Sequence, residues 1–289
     1  MRYEGIVYRP PSEAGSLLIQ ATIGCPHNRC RFCGMYKATR FRVRLLRDIL
    51  DDLDMALEVW GPEVRTLFLP DGNSIVMKTA SLTRVLTHAG ECFPGLERIT
   101  VYGSARFIKL KSRGELEDLR RAGLTRIHMG LESGDDATLA RMEKGATAAE
   151  SIEAGRKAKE AGIELSVYYL LGLGGRDRLE DHARASAEAI NAMAPDFVRV
   201  RTLSPTPGTP LHDDVLEGRF ETPTPDEAMR ELGLLVAGLS GSTMLVSDHV
   251  SNYLNLTGRL PEDKTELLAE VEAAASLGRA RLSRGLRLV

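Results

Sequence analysis

Only four cysteines occur in 289 residues. That is too few for a disulfide-framed secreted domain, and a reducing cytoplasm is the expected compartment. No long hydrophobic run is present, and the longest apolar stretch, Leu165 to Leu173, is far too short to span a bilayer. The N-terminus, Met1-Arg2-Tyr3-Glu4-Gly5, has no basic segment leading into an apolar core, so no signal peptide is read. Net charge is nearly absent at −2, which argues against a broad nucleic-acid surface. Repeats, low-complexity tracts and obvious linkers are missing as well. Acidic residues are absent from Ala14 to Arg47, where Arg29, Arg31, Lys37, Arg40, Arg42, Arg44 and Arg47 all fall. What remains is ordinary: 43% hydrophobic and 27% charged residues suit one soluble globular chain with a sizeable core.

Short apolar runs alternate with amphipathic stretches. After a lead-in carrying Pro10-Pro11, Leu17 to Ile23 reads as a buried strand. Arg44 to Trp60 places Leu45, Ile49, Leu53, Leu57 and Trp60 at helical spacing and ends at Gly61-Pro62. Further strands are expected at Arg65–Leu69, Arg98–Tyr102, Leu124–Leu131, Ile163–Leu171 and Asp196–Leu203. Each ends in glycine, proline or small polar residues, and helices are expected between them. Beyond residue 210 the pattern weakens to helices near Pro225–Leu239 and Glu262–Leu277, with a loop at Asp248-His249-Val250-Ser251-Asn252-Tyr253. Such alternation implies βα units and a parallel sheet, as an open doubly wound sheet or a partial barrel. In either, the working site lies at the C-terminal ends of the strands.

Three of the four cysteines sit together as Cys25-Pro26-His27-Asn28-Arg29-Cys30-Arg31-Phe32-Cys33. They cannot all pair with one another, and C-x4-C-x2-C suits one soft metal centre held by a loop. Zinc with His27 is one candidate, although structural zinc sites usually join two separated ligand pairs. A two-iron cluster with distant Cys92 is another; Cys92 lies at the end of a helix leading into the third strand and reads as a structural thiol. The third is a cluster held by three thiolates, with one metal corner left for a small molecule. The surrounding basic residues would favour thiolates and offset a negatively charged cluster.

The loop, with Phe32 before its last cysteine, resembles the cluster motif of the radical S-adenosylmethionine (SAM) superfamily, with one more residue in the first gap than the usual C-x3-C-x2-C. The later strand ends carry the same resemblance. Phe68-Leu69-Pro70-Asp71-Gly72-Asn73 occupies the second, and His128-Met129-Gly130-Leu131-Glu132-Ser133-Gly134 the fourth. Pro207-Gly208-Thr209-Pro210 follows the sixth. The fourth-strand motif is similar to that of the branch with anaerobic coproporphyrinogen oxidase, the methylthiotransferases and the Elongator catalytic subunit.

The resemblance implies an α/β fold: a partial (βα)6 TIM-like barrel over residues 1–215, with a helical C-terminal elaboration over 216–289. It implies a [4Fe-4S] cluster on Cys25, Cys30 and Cys33, whose fourth iron chelates SAM. It places Phe32 and Leu171 against the adenine, Gly72 in the turn meeting the SAM amino group, Glu132 at the ribose and Lys144 at the carboxylate. Asp71 and Asn73 would hold polar groups of SAM; Ser104 and Arg106 would donate to it or cap the next helix. The implied activity is reductive cleavage of SAM to a 5′-deoxyadenosyl radical that takes hydrogen from a substrate the sequence does not name. Flavodoxin or ferredoxin would supply electrons, docking on the basic segment 29–47. An electron-transfer or sensing protein without turnover and a tRNA-modifying enzyme are the competing readings.

Overall fold

A computed structural model describes residues 1–276, and the end of the expected 216–289 elaboration, including Leu277, lies outside the described residues. The chain forms two compact units. The first comprises Met1–Asn28, Tyr36–Met129 and Arg156–Leu165; the second comprises Arg29–Met35, Gly130–Gly155 and the chain from Ser166 onward.

In the first unit the expected strand over 17–23 is broken in two. β1 (Leu17–Leu18) lies parallel to a later strand, whereas β2 (Thr22–Ile23) pairs antiparallel with β3 (Arg42–Val43). Between the two, Gln20 is buried and uses its side chain to bond Asp71 and the Glu4 backbone. Helix α1 (Leu46–Trp60) buries Ile49, Leu53 and Ala56 on one stripe, and Gly61 stops it at φ 69°, a conformation glycine adopts without a Cβ penalty. β4 (Thr66–Leu69), α2 (Thr79–Cys92) and β5 (Arg98–Tyr102) follow. Two helices come next, α3 (Ala105–Leu110) and α4 (Arg113–Arg121), the latter opened by a Ser112–Glu115 capping box. β6 (Arg126–Glu132) begins in this unit and ends in the second. β1, β4, β5 and β6 pair parallel in that order. Buried Glu13 sits at their N-terminal ends, paired with His128 at 3.2 Å and Arg98 at 3.2 Å.

The second unit continues with α5 (Asp136–Arg141), α6 (Ala148–Glu160), β7 (Glu164–Leu171), α7 (Leu179–Met193) and β8 (Phe197–Thr202). α6 and β7 each run through both units. α8 (Pro210–Leu216) starts at the buried Thr209 cap, and α9 (Pro225–Gly238) at a Thr224–Glu227 capping box. The elaboration is not helical alone: β9 (Thr243–Ser247) joins β8 in parallel, and β10 (Leu256–Leu260) returns antiparallel to β9 before α10 (Lys264–Ser276). The whole is a mixed α/β fold whose mostly parallel sheet runs β1-β4-β5-β6-β7-β8-β9-β10. Among the described residues no helix is long and apolar enough to cross a membrane.

Candidate functional site

Within the first unit, the ends of β2 and β4 are bonded to each other. The Gly72 N–H donates to Gly24 O at 3.1 Å, and a Cβ on Gly72 would lie 2.6 Å from Cys25 Cβ and 3.1 Å from its Sγ. Glycine at 72 is therefore what lets the Cys25 turn sit against the end of β4. Beside it, Asp71 holds φ 73°, in the left-handed region that strains a non-glycine residue. Its buried carboxylate accepts from Gln20 Nε2 at 2.7 Å and Tyr36 Oη at 3.3 Å. Burial pushes its pKa up to about 6, although both side chains and the Gly24 backbone oppose this. Asn73 and Ser104 bind each other, Nδ2 to Oγ at 2.8 Å and the Ser104 N–H to Oδ1 at 3.0 Å. Ser104 stands at the start of α3 but makes no side-chain cap bond there, and Arg106 is exposed over the Phe107 ring.

In the second unit, residues 29–35 are clamped on both sides. The Arg31 N–H donates to Met142 O at 3.0 Å, and the Leu211 N–H donates to Arg31 O at 3.1 Å. The Arg31 guanidinium meets Asp214 at 2.6 Å and Glu143 at 3.6 Å. Phe32 packs on the cluster of Met142, Leu173, Leu203, Leu211 and Phe220, and Gly34 lies against the methyls of Thr206 and Thr209. Thr209 of the Pro-Gly-Thr element thus lies beside the residue that follows the last cysteine.

At the end of β6, Glu132 has φ 65° and pairs with Lys144 Nζ at 3.1 Å; both side chains are largely buried. A Cβ on Gly130 would fall 2.1 Å from Glu132 Oε1 and 3.0 Å from Lys144 Nζ, so glycine there keeps the pair in place. Burial opposes the Lys144 charge, but Glu132 and the sulfurs of Cys30 and Cys33 hold its pKa above the ordinary lysine value. The ammonium also lies 6.0 Å from the Phe32 ring centroid. Gly134 lets α7 approach, since a Cβ there would meet Ala185 O at 2.3 Å.

Leu171, at the end of β7, is buried and lines a cavity of about 60 Å³ with Gly172, Leu203 and Tyr253. The turn after it is fixed by a residue the sequence reading passed over. Buried Glu231 of α9 accepts from Tyr169 Oη at 2.6 Å and from the Gly172 N–H at 2.8 Å, with His182 Nε2 at 3.3 Å. His182 Nδ1 in turn faces Ser133 Oγ at 2.7 Å. A sequence signal existed: Glu231 shares the helical stripe of Ala228, Leu232 and Leu235, all buried.

Cys25, Cys30 and Cys33 are partly exposed and none is in a disulfide. Three thiols within nine positions, two of them within the field of Lys144, are soft donors of the kind an iron–sulfur cluster takes, and three leave one corner of a four-iron cluster unsupplied. Cys92 is buried on α2, with its sulfur 3.7 Å from Asp54; burial, then Asp54 and Glu91, raise its thiol pKa to about 11.

The family model described as Radical SAM superfamily matches residues 19–185, more than half of the chain. The chain belongs to the radical SAM superfamily of enzymes. Relatives of this radical SAM chain include the anaerobic magnesium-protoporphyrin IX monomethyl ester cyclase of Cereibacter sphaeroides. That protein is 25% identical over 195 residues, 66% of this chain and 31% of its own. The tRNA-2-methylthio-N(6)-dimethylallyladenosine synthase of Bifidobacterium adolescentis is 27% identical over 224 residues, 70% of this chain and 44% of its own. The radical SAM chain thus spans less than half the length of either curated relative. Its fold matches Escherichia coli coproporphyrinogen III oxidase, a radical SAM enzyme, at TM-score 0.56 and 18% identity over 77% of this chain and 51% of that one. The partial-barrel fold expected from the sequence stands, and the relatives above include two of the kinds of enzyme that the fourth-strand motif resembles.

Proposed function

We propose that this enzyme holds a [4Fe-4S] cluster on Cys25, Cys30 and Cys33 and uses it to cleave SAM reductively. When bound, the cluster supplies one electron that breaks a sulfonium C–S bond of SAM, giving a 5′-deoxyadenosyl radical able to take hydrogen from a substrate. The observation that carries the reading is the largely buried Lys144–Glu132 pair, with Lys144 in the field of Cys30 and Cys33. A lone surface ion pair needs neither a left-handed Glu132 nor a glycine at 130 to admit it.

The residues divide the work by chemistry. Lys144 provides a fixed cation for the SAM carboxylate, and Glu132 accepts from ribose hydroxyls. Phe32 and Leu171 offer apolar surface to the adenine. Gly72 and Asn73 present the β4 turn to the ammonium group, and Asp71 orients that turn through Gln20 and Tyr36. Ser104 steadies Asn73. Arg106, exposed on α3, is left to solvent or to a late contact. Lys37 and Arg40, exposed within the basic segment 29–47, offer positive charge for docking an acidic flavodoxin or ferredoxin. Arg44 takes no part, being buried against Asp52 at 2.7 Å.

Anaerobic reconstitution tests the assignment. Cys30→Ala is expected to lose most of its iron, whereas Lys144→Ala keeps its iron and loses about tenfold or more in SAM affinity, as for one charge-assisted contact. A Cys30→Ala protein with full iron, or equal loss of iron and SAM in Lys144→Ala, contradicts it.

A further inference from the structure

One half-buried cation near the strand ends, Arg201, has no task in the reading above. Along β8, Val198 and Val200 are buried on one face, and Arg199 and Arg201 alternate onto the other. In the β7–β8 register Tyr168 stands beside Arg199, and Leu170 beside Arg201. Tyr169 sends its hydroxyl to Glu231 of α9, so Tyr168, Arg199 and Arg201 occupy the face turned away from that helix.

The two arginines differ in what they meet. Arg199 donates through Nε to Ser166 Oγ at 3.0 Å. Arg201 lies with its guanidinium 5.1 Å from the Tyr168 ring centroid, and its Nη1 is buried with no hydrogen-bond partner among the described residues. Among those residues it also forms no salt bridge. Stacking on an aromatic face fixes the plane of a guanidinium fork but accepts none of its in-plane N–H groups. A buried donor left without an acceptor is costly, and its persistence calls for a ligand that supplies one.

The loop over 248–253 is fastened beside this arginine. Asn252 Nδ2 donates to Val200 O at 2.9 Å, Thr202 Oγ1 to Asn252 Oδ1 at 3.1 Å, and the Thr202 N–H to Ser251 Oγ at 3.2 Å. His249 of this loop adds no counter-charge. Burial and then the Arg201 charge push its pKa down to about 4, with Asp248 opposing. The Ser251 N–H donates to Nδ1 at 3.2 Å, which leaves the proton of the neutral ring on Nε2 as a further donor.

We propose that Arg201, planed by Tyr168 and flanked by the 248–253 loop, binds an oxyanion of the substrate, so that the hydrogen donor is a carboxylate- or phosphate-bearing compound. The inference rests on the SAM reading, because that reading assigns the SAM carboxylate to Lys144 and leaves Arg201 to the substrate.

The test follows the Nε–Hε NMR resonance of Arg201 in the anaerobic, SAM-loaded holoenzyme. Arg201→Lys assigns the peak by its loss; should that variant not fold, Tyr168→Leu assigns it by the removal of the ring-current shift. The probes are acetate, inorganic phosphate and, as the neutral control, acetamide. Acetate or phosphate is expected to shift the peak saturably, with an affinity about tenfold or more above acetamide, as expected for an added charge-assisted bond. Response to acetate alone identifies a carboxylate, to phosphate alone a phosphate, and to both an oxyanion held by the fork. No response to either anion, or an equal response to acetamide, overturns the proposal. So does a peak that SAM shifts by itself and that the anions then leave unmoved, since Arg201 would then serve the SAM carboxylate. Failure of the SAM reading is recognised separately, as an Arg201 that binds acetate or phosphate in a protein that forms no 5′-deoxyadenosine.

Discussion

Replacing Gly72 with alanine tests the contact between the β4 turn and the first cysteine. The new Cβ would lie 2.6 Å from Cys25 Cβ and 2.9 Å from its Cα, whereas carbon atoms rest about 3.5–4.0 Å apart. Neither atom is the end of a flexible side chain, so one of two backbones must move by roughly 1 Å to restore ordinary contact. Gly72 does not occupy the left-handed region, and the alanine backbone itself is therefore unstrained. Overpacking of this size costs about 1–3 kcal/mol, a fall in melting temperature of roughly 2–4 °C per kcal/mol for a chain of this length. The displacement falls on the turn carrying Cys25, so iron uptake should suffer far more than stability. Gly90→Ala in α2 is the control: a Cβ there meets nothing within 4 Å, and the change should stabilise by about 0.5–1 kcal/mol with iron unaltered. Iron per chain after anaerobic reconstitution, measured beside circular dichroism melts, decides the matter. A Gly72→Ala protein that loads as much iron as Gly90→Ala refutes the reasoning.

Three further outcomes are expected. Glu231→Ala strands the Tyr169 hydroxyl and the Gly172 N–H in the core and should cost about 2–4 kcal/mol in denaturant unfolding; a loss under about 1 kcal/mol would dismiss the network. Asp71 has a folded pKa of about 6, above its ordinary 3.8, so the fold binds its proton more tightly than the unfolded chain does. Stability should therefore fall by roughly 3 kcal/mol as pH rises from about 4 to about 6 and then level off. Asp71→Asn should flatten that window and exceed the wild type above pH 6; an unchanged slope in the variant assigns the titration elsewhere. Cys92→Ala should keep its full iron and lose only about 1 kcal/mol, whereas a loss of iron would make Cys92 a ligand.

Much of the fold was legible because the alternation of apolar runs and amphipathic stretches is long and regular. Helix α1 announced itself through Ile49 and Leu53 and stopped at Gly61, as the structure confirms. The first strand misled, because Leu17 to Ile23 reads as one apolar run while its two ends pair with different strands, β1 with β4 and β2 with β3. α3 and α8 were too short for a period to show. β9 and β10 were hidden because a five-residue strand such as Leu256–Leu260 repeats its burial only over a few positions. At the candidate site, the cysteines, Glu132 and Lys144 were legible through spacing and resemblance. Glu231, Gln20, Tyr36 and Arg201 were not, because their roles arise from partners far along the chain. Glu231, for example, meets Gly172 across 59 positions.

The central claim is that this chain cleaves SAM at a cluster held by three cysteines. Its most direct test is the formation of 5′-deoxyadenosine by anaerobically reconstituted protein supplied with dithionite and SAM, read by chromatography and mass. Product that depends on dithionite and disappears in Cys30→Ala is the predicted result. Fully iron-loaded protein that binds SAM yet forms no 5′-deoxyadenosine would contradict the account and favour a cluster that transfers or senses electrons without turnover.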